Sequence, residues 1–134
     1  SIVEACPMKA AFVENKKLVI DKEICSNCGT CVGKCTFQSI PDGKVGYKVY
    51  IGGRWGKKIR IGSELHRLFS REEALDVVEK AILLFKSEGR SGERFASTVD
   101  RLGLEKVERM LLSDDLLKGK EEILGIPTSG GAKC

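Results

Sequence analysis

The spacing of the cysteines constrains this chain more than any other feature of its sequence. Four of its six cysteines lie within eleven residues, as Cys25, Cys28, Cys31 and Cys35. Gaps of two, two and three residues are typical of a loop that binds a cubane [4Fe–4S] cluster, because the loop carries three thiolates to three corners of one cube. Gly29 and Gly33 stand between the cysteines, where small residues let backbone N–H groups approach the cluster sulfurs.

The fourth corner of the cube has two candidates. Cys35 lies one helical turn beyond Cys31 and, in this loop geometry, points away towards a second cluster. Cys6-Pro7 has the form of the end of an earlier copy of the loop, whose last cysteine binds the later cluster. That earlier copy is incomplete, because Ile2 stands where its third cysteine belongs. We therefore predict one cluster on Cys6, Cys25, Cys28 and Cys31, with Cys35 as the alternative fourth ligand.

Zinc is the alternative metal, because four cysteine thiolates also suit a tetrahedral Zn²⁺ ion. A zinc-stabilised structural module therefore stays open, although zinc sites more often pair two separated C-x2-C knuckles. The chain shows no secretion signal, so clustered thiols indicate metal chemistry and a reducing, cytoplasmic location rather than disulfides. Cys134, in the small polar tail, is predicted to be a free thiol.

Composition indicates a soluble globular protein. Charged residues make up 31% and hydrophobic residues 42% of the 134 residues, and no apolar run reaches the ~18 residues of a membrane span. The chain starts without an initiator Met and without a signal peptide. We therefore expect a processed or excised piece of a larger protein.

The net charge of +4 is concentrated in the middle of the chain. Residues 45–69 carry six basic side chains and one acidic side chain, whereas residues 1–44 are nearly balanced. An anionic ligand is therefore expected at residues 45–69. Nucleic acid is disfavoured as a partner, because a pI near 8.7 is mild and aromatic residues are only 6% of the chain.

Local patterns predict an α+β fold of two domains, residues 1–44 and 45–134. The N-terminal domain has a β-hairpin, Ala11–Glu14 and Lys17–Ile20, turning at Asn15-Lys16. Further strands are predicted at Val45–Ile51 and at 58–61. Ser70 and Glu73 form a capping box for a helix that ends at Gly89 and packs against the sheet. Other helices are expected at 93–102, 105–112 and 114–124, and the tail is predicted to be mobile from about residue 128.

Two stretches resemble known proteins. Residues 1–44, with their Cys-Pro, hairpin and cysteine loop, resemble a bacterial-type ferredoxin module. Residues 46–103 resemble the C-terminal half of the nitrite/sulfite reductase family, dissimilatory or anaerobic sulfite reductase type. This likeness rests on GYKVYIGGRWG from Gly46, on the capped helix and on EGRSGERF from Glu88. In that type a ferredoxin module is inserted just before the glycine-rich strand.

The resemblance implies a part of an oxidoreductase. In that family a sirohaem is joined through a cysteine thiolate to its own [4Fe–4S] cluster, on C-x5-C and C-x3-C cysteines upstream of the ferredoxin insert. This sequence lacks that pattern, so the resemblance implies a fragment with no catalytic residues, unable to reduce sulfite alone. Its implied role is to pass electrons through the ferredoxin cluster towards the sirohaem, with sulfite and nitrite both open as substrates. Implied partners are the upstream part of the same polypeptide or a reductase subunit, and an electron donor protein.

The resemblance also implies a sirohaem wall in the second domain. Sirohaem carries carboxylates, so its wall should be basic and glycine-rich, and the candidate residues are Gly52, Gly53, Arg54, Lys57, Lys58 and Arg60. Glycines admit a flat macrocycle, and Arg binds carboxylates bidentately. The alternative is a solvated hairpin face.

Three more residues need an interpretation. Arg90 and Arg94 could hold an anion at a helix start, or Arg94 could form a surface ion pair with Glu93. His66 is predicted to be structural. For the whole chain, the alternative function is a stand-alone ferredoxin-like electron carrier with a helical docking domain.

Overall fold

The computed structural model describes residues 1–127, which divide into two units, Ser1–Val45 and a second that begins at Gly46. Cys134 and the tail predicted to be mobile lie outside the described residues. Both units mix helices with two-stranded antiparallel sheets, so the predicted α+β class is confirmed. No helix within residues 1–127 combines the length and apolar character needed to cross a membrane.

The N-terminal unit contains a short helix and a hairpin. Helix α1 spans Ile2–Ala5 and begins at a capping box that the sequence patterns did not predict, formed by Ser1 and Glu4. Strands β1 (Ala11–Glu14) and β2 (Lys17–Ile20) pair antiparallel, with Glu14 opposite Lys17. Both turn residues have positive φ, 49° at Asn15 and 61° at Lys16, as a type I′ turn requires. The predicted hairpin is therefore confirmed.

The N-terminal unit has almost no apolar core. Within residues 1–45 only Ile2, Ala10 and Ala11 are buried. Phe12 and Val13 on β1 are 40% and 64% exposed. A unit that buries so little apolar surface needs another source of stability, of which bound metal is a common one.

The predicted strands of the second unit are largely wrong. In place of Val45–Ile51 and 58–61, the structure has β3 (Tyr50–Ile51) paired antiparallel with β4 (Ser63–Glu64). Two isolated bridges, Tyr47 with Phe69 and Arg54 with Arg60, continue the pairing irregularly. The end of β3 lies where the first strand was predicted to end, because Gly52 has φ +68° and leaves the extended region. The residues before Tyr50 are not a continuous strand because, within residues 1–127, no partner strand continues beside them.

The long helix α2 (Arg71–Glu88) organises the second unit. The predicted capping box of Ser70 and Glu73 begins it, and Gly89 ends it. Its main neighbours are the later helices α3 (Phe95–Leu102), α4 (Leu104–Leu112), α5 (Asp115–Lys118) and α6 (Lys120–Leu124). We predicted that α2 packs against the sheet, and Ile51 of β3 does join its core, but the later helices are its main neighbours.

The remaining helices follow glycine breaks. Gly103, with φ 87°, ends α3 and begins α4. The single helix predicted at 114–124 is two helices in the structure, because Gly119 ends α5 and begins α6. Ten buried apolar side chains form the core: Ile51, Leu65, Phe69, Val77, Leu83, Leu84, Val99, Val107, Leu111 and Leu116.

Candidate metal centre

In the cysteine loop, one residue in each gap between cysteines has a left-handed backbone conformation. Asn27, Gly29 and Gly33 have φ values of 56°, 75° and 70°. A Cβ added at Gly29 or Gly33 would meet no atom within 4 Å. Glycine is therefore favoured at these positions by the positive φ and not by steric crowding. Left-handed residues that alternate with right-handed ones direct successive N–H groups into a concavity, an arrangement found around anions and iron–sulfur clusters. The loop backbone therefore fits a negatively charged cluster.

Hydrogen bonds tie the loop to its flanks. The N–H of Cys25 donates to the carbonyl of Asp21 over 2.9 Å, where the loop follows β2. The N–H of Gly33 donates to the carbonyl of Ile40 over 2.9 Å and closes the other end. Inside the loop, the N–H of Val32 donates to the carbonyl of Gly29 over 3.0 Å. The cysteines therefore lie on a loop whose backbone is fixed by hydrogen bonds at both ends and in its middle.

Cys28 is surrounded by hydroxyl groups. Its Sγ lies 3.3 Å from Oγ1 of Thr30, and its side chain is exposed. The Thr30 hydroxyl, the Thr30 N–H and the Ser26 hydroxyl, in that order, hold the pKa of Cys28 below its ordinary value. The thiolate is the metal-binding form of cysteine, so these groups favour the ligating state. Neither Ser26 nor Thr30 was singled out from the sequence, although each stands two residues from Cys28.

Cys6 comes from outside the loop but interacts with it electrostatically. Partial desolvation raises the pKa of Cys6, but N–H groups of Ala10, Met8 and Ala11 outweigh it, so the pKa lies below its ordinary value. The Ala10 N–H donates to Cys6 Sγ over 3.3 Å. Negative charge on Cys28 opposes ionisation of Cys6. The charge of Cys28 therefore affects Cys6, although the two residues are far apart in the sequence.

Cys35 has a separate environment. Its Sγ lies 3.3 Å from Oγ of Ser39, and the Ser39 hydroxyl is the main group that holds the pKa of Cys35 below its ordinary value, as a donor to the thiolate. Cys25 accepts the N–H of Asn27 over 3.4 Å. In residues 1–127 no three Cys, His, Asp or Glu side chains stand in a metal-holding arrangement, so the assignment of ligands stays a prediction.

The predicted sirohaem wall is divided between buried and exposed side chains. The guanidinium of Arg60 donates to Asp100 over 2.8 Å and to the carbonyl of Gly52 over 2.8 Å. It also donates to Ile51, Ile61 and Ser63, so all of its nitrogens are engaged within the protein. A Cβ at Gly52 would lie 2.7 Å from the Arg60 guanidinium, which explains the glycine there.

The guanidinium of Arg54 makes two hydrogen bonds within the protein, whereas the side chains of Lys57 and Lys58 are free to bind a ligand. Arg54 donates to the carbonyl of Lys58 over 3.0 Å and to Ser97 Oγ over 3.4 Å. Lys57 and Lys58 are exposed, and within residues 1–127 their ammonium groups have no hydrogen bond or ion pair. Gly53 is also exposed, and Trp55 beside these residues is 82% exposed. The basic tip of the hairpin, residues 54–58, therefore offers two lysines and one aromatic ring to solvent.

The segment between α2 and α3 is held by a carboxylate. Glu93 accepts from the Arg90 N–H over 3.0 Å, from Thr98 Oγ1 over 2.9 Å and from Arg101 over 2.9 Å. Mainly because of Arg101, the pKa of Glu93 is lowered to about 2. The ion pair suggested between Glu93 and Arg94 is therefore wrong, because the partner is Arg101, two turns along the chain. An anion site at Arg90 and Arg94, both exposed, stays a prediction.

His66 has a partner that the sequence did not reveal. Its Nδ1 lies 3.0 Å from Oε2 of Glu108, and its backbone N–H donates to the same carboxylate over 2.6 Å. Hydrogen bonding to Glu108 raises the pKa of His66. The contact joins the segment after β4 to α4, and His66 therefore has a structural role here. A sequence separation of 42 residues left no local pattern from which to find it.

Comparison with known proteins adds a family likeness. A family model described as "Nitrite and sulphite reductase 4Fe-4S domain" matches residues 12–118, which include the cysteine loop and the basic hairpin. An uncharacterized protein of Methanocaldococcus jannaschii is 27% identical over 136 residues, covering 78% of this chain. The chain spans about half the length of that curated relative, 49%.

Proposed function

The chain belongs to the nitrite and sulphite reductase 4Fe-4S domain family, and from this premise we propose that it is an electron-transfer part of such a reductase. In this proposal the N-terminal unit carries one [4Fe–4S] cluster on Cys6, Cys25, Cys28 and Cys31. The cluster, when bound, supplies one-electron transfer between an external donor protein and the catalytic centre. The cysteine loop, with one left-handed residue in each gap, is the observation that carries the proposal.

The N–H groups of the loop give this chain a defined part in the chemistry. A cluster with four thiolate ligands is an anion, and reduction adds a further negative charge. N–H groups directed into the loop, such as that of Asn27 towards Cys25, stabilise negative charge on sulfur. The thiolates would therefore hold the cluster while the backbone N–H groups would offset its negative charge.

One observation supports Cys6 as the fourth ligand. Negative charge on Cys28 of the loop opposes the ionisation of Cys6, although the two residues lie far apart in the sequence. The small number of buried side chains in residues 1–45 supports a bound cluster, whichever cysteine is its fourth ligand. In a unit with so small a core, metal binding can contribute free energy of folding.

We extend the proposal to the whole enzyme. The catalytic centre would be a sirohaem of the dissimilatory or anaerobic sulfite reductase type, provided by the upstream part of the same polypeptide or by another subunit. Lys57 and Lys58 support a contact with its carboxylates, because both are exposed and unengaged. Arg54 and Arg60 would instead shape the hairpin that presents them. Sulfite or nitrite would be the substrate, in the cytoplasm, and this chain alone would reduce neither.

The first test is metal content. We expect the chain, purified without oxygen, to contain about four iron and about four acid-labile sulfide per molecule. A broad visible absorbance should fade when dithionite reduces the protein. A colourless protein that contains only zinc would contradict the proposal and favour a zinc-stabilised module.

A matched pair of variants tests the ligand set. Cys6→Ser should lose most of the iron and sulfide, because it removes one of four corners. Cys35→Ser should keep both, because the proposed ligand set does not include Cys35. The reverse result would replace Cys6 by Cys35 and leave the electron-transfer role intact.

A further inference from the structure

We propose that Thr30 is a positioning residue that raises the reduction potential of the cluster by donating its hydroxyl hydrogen bond to the sulfur of Cys28. The inference rests on the proposed function, because it requires a cluster on Cys28. It starts from the 3.3 Å distance between Thr30 Oγ1 and Cys28 Sγ.

Metal binding decides the direction of this hydrogen bond. In the free thiol either Thr30 Oγ1 or Cys28 Sγ can be the donor. A cysteine that binds iron has lost its proton and is an acceptor only. The hydroxyl of Thr30 then becomes the donor, in an O–H···S bond to a charged sulfur, which is stronger than a bond between neutral groups.

The local backbone directs Thr30 at this sulfur. Gly29, with φ 75°, reverses the chain immediately before Thr30. The hydroxyl of Thr30 then lies 3.3 Å from Cys28 Sγ. A change of side chain at Thr30 should therefore remove this donor and leave the backbone donor of the loop, the Asn27 N–H to Cys25, in place.

Among the predicted ligands, Cys28 is the one that receives hydroxyl groups. Cys6 and Cys25 accept backbone N–H groups, from Ala10 over 3.3 Å and from Asn27 over 3.4 Å. Cys28 is also exposed, whereas Cys6, Cys25 and Cys31 are partly buried. The ligand nearest to solvent thus carries the side-chain donor that a single substitution can remove.

The effect on potential follows from charge. Reduction adds negative charge to the cluster and its sulfurs, so a donor to sulfur stabilises the reduced state more than the oxidised state. The Thr30 hydroxyl should therefore make the cluster easier to reduce. Its removal should shift the midpoint potential to a more negative value.

The experiment is a redox titration of the full chain without oxygen, using dithionite as reductant and electron paramagnetic resonance as readout. Thr30→Val removes the hydroxyl and keeps the branched shape, whereas Thr30→Ser keeps the hydroxyl. We expect the midpoint of Thr30→Val to be more negative than that of the wild type and Thr30→Ser to restore most of the difference. If Thr30→Val takes up no iron, Thr30→Ala is titrated instead. Ser39→Ala, beside Cys35, is the control and should leave the midpoint unchanged.

The outcomes separate this inference from the proposed function. An unchanged midpoint in Thr30→Val or Thr30→Ala, with full iron and sulfide, overturns the role of Thr30 and leaves the electron-transfer proposal standing. A shift in Thr30→Ser as large as that in Thr30→Val also overturns it, because the hydroxyl is then not the cause. If the wild-type chain binds no iron–sulfur cluster, the proposed function is contradicted, and the inference about Thr30 is contradicted with it.

Discussion

Residues 1–45 bury only Ile2, Ala10 and Ala11, whereas the unit that begins at Gly46 closes ten apolar side chains around α2. The second unit follows the ordinary physics of a small domain, in which buried apolar area stabilises the helices. The first unit has too little buried area for that. The difference teaches that residues 1–45 need a source of stability other than buried apolar area, which in our proposal is the bound cluster.

Backbone conformation separates the two units in the same way. Within residues 1–127, all five residues other than glycine with positive φ lie in the first unit: Lys9, Asn15, Lys16, Asn27 and Gln38. In the described part of the second unit, positive φ occurs at glycines, such as Gly52 and Gly103. Each left-handed lysine or glutamine costs ~1–2 kcal/mol, whereas asparagine adopts this conformation more readily. Cluster binding is a source of free energy that can offset this cost.

Removal of the metal should give the largest difference between the units. Stripping the iron from the anaerobic chain with a chelator should abolish hydrogen-exchange protection at the Val32 and Gly33 amides, because the loop then loses its main stabilising interaction. Amides of α2, such as Val77 and Leu84, should keep their protection. Loss of protection in both units together would contradict independent stabilisation, and retention in both would show that the loop needs no metal.

A core substitution should give the next largest effect, confined to the second unit. Leu111→Ala removes a fully buried side chain, 0% exposed, and should lower the free energy of unfolding by about 2–5 kcal/mol. Denaturation followed by far-ultraviolet circular dichroism measures it. Leu75→Ala is the matched control, because Leu75 is 62% exposed and should change stability by less than about 0.5 kcal/mol. Iron content should equal that of the wild type, and a fall in iron would contradict the separation of the units.

The smallest effect should appear on acidification. The pKa of Glu93 is lowered from 4.5 to about 2, so its ionised form stabilises the fold fully above the unfolded pKa and loses this effect as pH falls through about 2. Glu93→Gln lacks that titration. Between pH 5 and pH 2 the unfolding midpoint of the wild type should therefore fall more steeply than that of Glu93→Gln. Glu105→Gln, at an exposed position, should follow the wild type, and parallel curves for all three proteins would contradict the role of Glu93.

Local signals in the sequence were sufficient for several elements. The hairpin at Asn15-Lys16, the capping box at Ser70 and the helix end at Gly89 were predicted, because each depends on residues a few positions apart. The strands of the second unit were not, because alternation in Val45–Ile51 says nothing about whether a partner strand continues beside it. In the structure the side chain of Val45 is 84% exposed, and continuous strand pairing begins only at Tyr50.

The apolar pattern of α2 shows where periodicity stops being informative. Leu75, Val78 and Ile82 have helical spacing like the core residues, yet they are 62%, 54% and 64% exposed. Lys80 is buried instead, with its ammonium 2.9 Å from Asp114. Which face of a helix is buried depends on where α3 to α6 lie, and their positions are not encoded in the spacing of α2 itself.

The sequence by itself determined the cysteine spacing, the positions of the glycines and the helix caps, because these act through neighbours along the chain. Only the tertiary structure decided that Arg60 donates to the backbone of Gly52, that Glu93 pairs with Arg101 and that His66 contacts Glu108. These contacts join residues brought together by folding. Their energies depend on distance in space, for which separation along the sequence is a poor guide.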